Sequence, residues 1–237
     1  MRGRRAHDVR VVLTGGRRNV KSFMRGGFGI VAAMLASLAF AQADVALVNR
    51  VSGTATYATG SSSSNPVTAF MRVREGDRYT VGRGAQVRVV YMQGGRQETW
   101  TGPAAFRAGE KQSAAVRGTP QVAQLPVMVA TKLGRIPDLM QSARLGGVTV
   151  RGGARPVPLT AEEAEDLRAA RATYRQLRAS TAQEDDITPE MFLLSVLQEY
   201  SQFDEFRGVA QEMQRRQPDG AEVRELAEWA ESRGGSR

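Results

Sequence analysis

From Asp44 to about Pro126 the chain alternates apolar and polar residues in short runs rich in Val, Thr, Tyr and Gly. That period of two marks half-buried strands separated by turns. The clearest run is Ala85-Gln-Val-Arg-Val-Val-Tyr-Met92, with Val87, Val89 and Tyr91 on one face and Gln86, Arg88 and Val90 on the other. Gly94-Gly95 turns it into Arg96–Thr101, its hairpin partner. Further short strands are predicted at 45–51, 53–58, 67–73, 78–81, 104–108, 113–117 and 120–124, and Gly60–Pro66 reads as a loop. So many short strands with regular turn signals predict an all-β sandwich or barrel-like domain over residues 44–126.

After Thr160 the period becomes that of a helix. Leu167, Ala170, Tyr174 and Leu177 share one face of a helix opened by the capping box Thr160-Ala-Glu-Glu163. A second helix starts at Thr188-Pro189 and carries Phe192, Leu193, Val196, Leu197 and Tyr200. A third carries Phe206, Val209, Ala210 and Met213, and a fourth Val223, Leu226, Ala227 and Ala230 with Trp229 beside them. Short connections between them predict an antiparallel helical bundle over 160–237, so the fold class expected is α+β. Residues 127–159 read as a mixed connecting segment, with an apolar run at Val127–Ala130, a short helix at Pro137–Arg144, Val148-Thr-Val-Arg151 between glycine pairs, and a linker at Gly152–Pro158.

Charge adds a compartment. Residues 1–43 hold eight of the 33 Lys and Arg and only one acid, Asp8. Arg17, Arg18, Lys21 and Arg25 precede the apolar run Phe28–Phe40, which closes on Ala41-Gln42-Ala43. A basic segment, a short apolar run and an A-x-A site predict a signal peptide over 1–43, or one starting at Met24, and hence a periplasmic or secreted protein with no stable membrane span after cleavage. Without the leader the net charge of +9 falls to +2, which removes the case for a nucleic-acid partner. The balance is uneven: residues 44–125 carry ten basic and five acidic groups, and residues 160–237 ten and seventeen. The chain has no Cys, and its one His, His7, lies in the leader. Beyond Ala43 the sequence therefore lacks the side chains for His-assisted nucleophilic catalysis, thiol redox chemistry or thiolate and imidazole metal sites.

The order Glu75-Gly-Asp-Arg-Tyr-Thr-Val81, Ala85–Tyr91, Gly94-Gly95 and Trp100-Thr-Gly-Pro-Ala-Ala-Phe106 resembles the periplasmic domain of FecR-type proteins over residues 45–120. In that family a G-D enters a strand, a valine-alternating strand and glycine turn follow, and the next strand leads to a G-P-A corner. The cytoplasmic and membrane-spanning parts of the family's sensor-regulators have no counterpart here, so the resemblance implies an exported binding or scaffolding relative. Residues Leu193–Pro218, with Tyr200–Phe206 as the turn, resemble a tetratricopeptide-type helical hairpin.

Arg72, Arg74, Arg78, Arg83 and Arg88, with Tyr91 and Trp100 on adjacent strands, form the candidate contact surface, although the two aromatic residues read first as a core pair and only second as a sugar-stacking face. Glu184-Asp185-Asp186 is the densest carboxylate cluster and is read as helix-entry charge before Thr188. Glu75, Asp77 and Glu98 are the only candidates in the central sheet region for a glycan-cleaving pair, and charged turn residues explain them adequately. The expected function is non-enzymatic binding or scaffolding in the cell envelope, without cofactor, toward an envelope protein or an anionic envelope polymer such as peptidoglycan. The rivals are a periplasmic sensor or regulatory partner of a membrane signalling protein, and a Glu/Asp glycan-acting enzyme.

Overall fold

The computed structural model describes residues 43–145, 158–181 and 185–233. The predicted leader, the Val148–Arg151 run, most of the predicted linker and Glu184 lie outside these residues.

Among the described residues, ten strands form two five-stranded antiparallel sheets. The first contains β1 (Asp44–Ser52), β4 (Arg72–Arg74), β6 (Gln86–Tyr91), β7 (Arg96–Thr101) and β10 (Gln121–Gln124), in the order β10-β7-β6-β1-β4. The second contains β2 (Ala55–Ala58), β3 (Asn65–Pro66), β5 (Arg78–Val81), β8 (Ala104–Ala108) and β9 (Ser113–Arg117), in the order β3-β2-β5-β8-β9. Their facing side chains make one apolar layer. Val48, Val87, Val89, Tyr91 and Trp100 meet Tyr79, Val81, Phe106 and Ala108 there. A ring stack runs through it, with centroids 5.9 Å apart for Tyr57 and Tyr79, 4.9 Å for Tyr79 and Phe106, and 4.6 Å for Phe106 and Trp100. Such stacking adds to the area that these rings bury.

The 67–73 expectation fails for a topological reason. The chain leaves the second sheet at β3 and joins the first at β4, so Val67–Met71 crosses between sheets instead of pairing along one. Phe70 sits in that crossing at φ 62, its backbone N–H donating to the Val48 carbonyl and its ring buried. At the β6–β7 turn, Gly95 (φ +72) is required twice over. Its conformation favours glycine, and a Cβ there would lie 2.3 Å from the Leu125 carbonyl oxygen, where the chain returns as β10.

Six helices follow among the described residues: α1 (Val127–Leu133), α2 (Ile136–Arg144), α3 (Ala161–Ser180), α4 (Thr188–Glu199), α5 (Phe203–Arg216) and α6 (Ala221–Arg233). The capping box of α3 is present in full: Thr160 Oγ1 accepts from the Glu163 N–H, and Glu163 Oε2 accepts from the Thr160 N–H. Consecutive helices from α3 to α6 pack on one another, as the short connections require. Helix α4 is the hub: every residue from Thr188 to Leu197 is buried. It touches α1, α2, α3 and α5, so no face is left for water.

Two expectations change here. The segment read as a connector is core: Val129, Ala130, Leu133, Ile136 and Leu139 of α1 and α2 are fully buried. The helical part does not close on itself either. Leu47 and Val90 of the first sheet and Phe70 belong to the same apolar cluster as the helices. The first sheet is therefore covered on both faces, by the second sheet and by helices, in a three-layer arrangement.

Burial of the sandwich tyrosines generates a pH dependence. Burial pushes the Tyr91 hydroxyl up to about 12, and burial, with the Asp77 charge second, pushes Tyr79 higher still. Both folded values lie above the unfolded value near 10, so this stabilisation is complete below pH 10 and is lost as pH rises toward 12. Tyr91 alone should contribute about 2–3 kcal/mol of that loss, by the conversion of about 1.4 kcal/mol per pH unit. Urea midpoints measured from pH 9 to 12 should fall steeply, and Tyr91→Phe should flatten the fall; an unchanged slope in that variant refutes the assignment.

Candidate functional site

The outward face of the second sheet is built from small residues with arginines rising from it. Strand alternation puts Tyr57, Tyr79 and Phe106 inward, so Thr56, Ala58, Arg78, Thr80, Ala105 and Arg107 point out. Register then sets Arg78 directly opposite Arg107, and Ala105 opposite Arg117 of β9. Like charges opposed across a strand pair destabilise it by up to about 1 kcal/mol. No carboxylate relieves them: Arg78, Arg107 and Arg117 make no ion pair among the described residues, although Arg78 donates to the Gly60 carbonyl. The acids of this region lie elsewhere. Asp77 and Glu98 are buried, Asp44 is held by Arg72 and Arg74, and Glu75 and Glu110 occupy turns. The sheet surface is thus more basic than its composition suggests.

The predicted arginines do not form one surface. Arg78 and Arg83 are exposed as expected, Arg78 on the outward face and Arg83 in the β5–β6 turn. Arg72 and Arg74 border a separate groove of about 360 Å³ between the sandwich and α2, which Tyr57, Thr59 and Arg144 also line. Arg72 is neutralised there by Asp44 at 2.8 Å and Asp138 at 2.5 Å. Although burial opposes it, hydrogen bonding to Asp138 and Asp44 holds the Arg72 guanidinium above its ordinary pKa. Arg88, Tyr91 and Trp100 drop out of that surface as corrections. Tyr91 and Trp100 are buried between the sheets as core aromatics and not as a sugar-stacking face, and Arg88 is 1% exposed beneath the helices. Arg107 and Arg117 were missed, although pairing 78–81 with 104–108 in register would have set Arg107 beside Arg78.

Arg88 belongs to a buried polar seam between the first sheet and the start of α4. Its Nη1 lies 3.3 Å from Asp186 Oδ2 and its Nε donates to Thr99 Oγ1 at 3.3 Å. Asp186 Oδ1 accepts from the Thr188 N–H at 2.9 Å and from the Thr188 hydroxyl at 2.6 Å. Thr188 is the first residue of α4 and Ile187 holds its N-cap position with no side-chain cap, so Asp186, one residue earlier, satisfies the Thr188 N–H instead. Asn49, on β1, donates to Thr188 Oγ1, and Asp185 pairs with Arg50. Burial, reinforced by the neighbouring charge of Arg88, lowers the Arg50 pKa. A second buried carboxylate, Glu190, meets Arg178 at 3.0 Å and Arg216 at 3.4 Å and accepts from the Tyr174 hydroxyl, tying α3, α4 and α5 together. Arg178 also donates to the Asp186 carbonyl at 2.7 Å, joining the two clusters.

The buried acids of the central sheet region are engaged in structural contacts. Asp77 accepts from the Thr59 hydroxyl at 2.6 Å and from the Arg74 N–H at 3.1 Å. Glu98 accepts from Arg96, from the Trp100 indole N–H and from the Ser113 N–H. Each is a structural acceptor inside or beneath the sandwich, and Glu75 is an exposed turn residue. Among the described residues no group of three His, Cys, Asp or Glu is placed to hold a metal ion. Comparisons with family models, with curated proteins and with solved structures found no match.

Removing one partner of a buried ion pair costs far more than removing both. Asp186→Ala should destabilise the protein by about 3–5 kcal/mol in urea unfolding, against at most about 1 kcal/mol for the exposed Glu165–Arg168 pair. Arg88→Met with Asp186→Ala should cost clearly less than the two singles added. Strict additivity would show that the pair is not coupled.

Proposed function

We propose that the chain is an exported, non-enzymatic binding or scaffold protein of the cell envelope whose sandwich presents a basic face to an anionic polymer such as peptidoglycan. The observation that carries this reading is the unrelieved cross-strand opposition of Arg78 and Arg107, with Arg117 opposite the outward-facing Ala105, on an exposed sheet face. Small neighbours such as Ala58, Ala105 and Ala114 leave the guanidinium groups standing clear, available to carboxylates repeated along an extended chain. An anionic partner would relieve a repulsion that the folded protein carries alone. The polar seam serves this function indirectly, by holding the sandwich and the helices as one body. The FecR-type likeness and the predicted leader support the envelope setting.

Arg78→Glu should separate binding from stability. It replaces a like-charge pair with a complementary one across the same two strands, so thermal stability should be equal or slightly higher. Co-sedimentation with purified peptidoglycan should weaken at least tenfold, and wild-type binding should fall as salt rises from 50 to 500 mM, as screening requires. Salt-independent sedimentation, or undiminished binding by Arg78→Glu/Arg107→Glu, would sink the reading.

A further inference from the structure

A groove of about 470 Å³ lies between α3 and the β10 margin of the first sheet. Every residue from Gln121 to Pro126 lines it, and Gln97 and Thr99 of β7 extend it over the helix-facing side of the sheet. The helix contributes Thr173, Gln176, Leu177 and Ser180, which recur at helical spacing on one side of α3. That side is free of charge on a helix whose other positions include Glu163, Asp166, Arg168, Arg171 and Arg175. Among the described residues Asp186 is the one charged residue lining the groove, and it is already bound by Arg88 and Thr188.

Backbone direction in β10 can be read from its pairing. The Leu125 N–H donates to the Gly95 carbonyl at 2.8 Å, on the β7 side. Alternation along an antiparallel strand then turns Gln121 and Ala123 toward β7, and the N–H and C=O groups of Val122 and Gln124 outward. Pro120 and Pro126 fall on the same outward parity and have no N–H to offer. The edge thus presents two donors bracketed by two prolines. The other three edges are blunted: β3 has two residues and includes Pro66, β4 has three with ion-paired Arg72 and Arg74, and β9 carries Arg117 and a register shift. β10 is uncharged and all four of its residues are exposed.

We infer that this groove is a strand-addition site, taking a short, uncharged, extended segment of a partner polypeptide beside β10, with alternate side chains against Leu177 and the neutral side of α3. Free main-chain donors and acceptors in line recognise a polypeptide backbone, and the neutral lining excludes a strongly charged guest. The site is chemically unlike the arginine face and is independent of what that face binds.

The probe is a blocked octapeptide reproducing residues 119–126, whose backbone can pair antiparallel with β10 by setting its Val opposite Gln124 and its inner Gln opposite Val122. Saturable binding should be seen by NMR, with hydrogen exchange at the Val122 and Gln124 amides slowed at least tenfold and the amides of Gln121 and Ala123 little changed. The same peptide N-methylated at those two positions should not bind. Val122→Pro removes one outward donor without touching the β7 ladder and should weaken binding at least tenfold. Gln176→Trp, which fills the groove from the helix side, should do the same, and both variants should keep the wild-type circular dichroism. The inference is overturned by no saturation at millimolar peptide, by equal binding of the N-methylated peptide, or by wild-type binding in both variants. It is also overturned by a protein dimer, seen in sedimentation, that Val122→Pro dissolves.

Discussion

A charged side chain lies in the middle of a sheet that is covered on both faces, and the rest of the arrangement answers to it. Arg88 on β6 has the second sheet behind its strand and the helices in front, with no route for its guanidinium to water. An isolated buried charge costs many kcal/mol, so the fold must deliver an anion to that place. Asp186 is that anion, and it also accepts from the Thr188 N–H at the start of α4. The start of the central helix is thereby fixed over the central strands. Asn49, Gln97 and Thr99 complete the seam from β1 and β7, and Glu190 extends it through Arg178 and Arg216 to α3 and α5.

Such a seam contributes less to net stability than an apolar contact of the same size, but it specifies one docking geometry. Sliding α4 by one residue along the sheet would leave Asp186, Arg88 or Asn49 without its partner. Apolar side chains around the seam, among them Leu47, Val90, Met191 and Leu194, tolerate small shifts individually. Hydrophobic burial thus holds the layers together, and the polar seam sets their register.

With the halves joined as one body, the two outer surfaces become distinct in chemistry. One is the arginine-bearing face of the second sheet, where repulsion between neighbours remains unrelieved. The other is the neutral groove between β10 and α3, where backbone groups remain unpaired. Both are features that folding leaves unsatisfied, and unsatisfied groups on a stable scaffold are where partners gain binding energy.

The alternation around Val87, Val89 and Tyr91, the Gly94-Gly95 turn, the Thr160 capping box and the four helical stripes after it are local, and the sequence by itself determined them. Period, turn chemistry and caps act over a few residues and need no distant partner. Tertiary structure alone decided which faces stayed wet. A period of two says that a strand has two sides, not that helices will later cover the second, so Arg88 read as a surface residue and became the centre of the seam. Tyr91 and Trp100 went inward because aromatic area is most stabilising between the sheets. Arg107 joined Arg78 because register, which depends on pairing across the chain, set them opposite each other. In the same way, α1 and α2 read as part of a connector because they are only seven and nine residues long, and only packing against α4 and α6 makes them core.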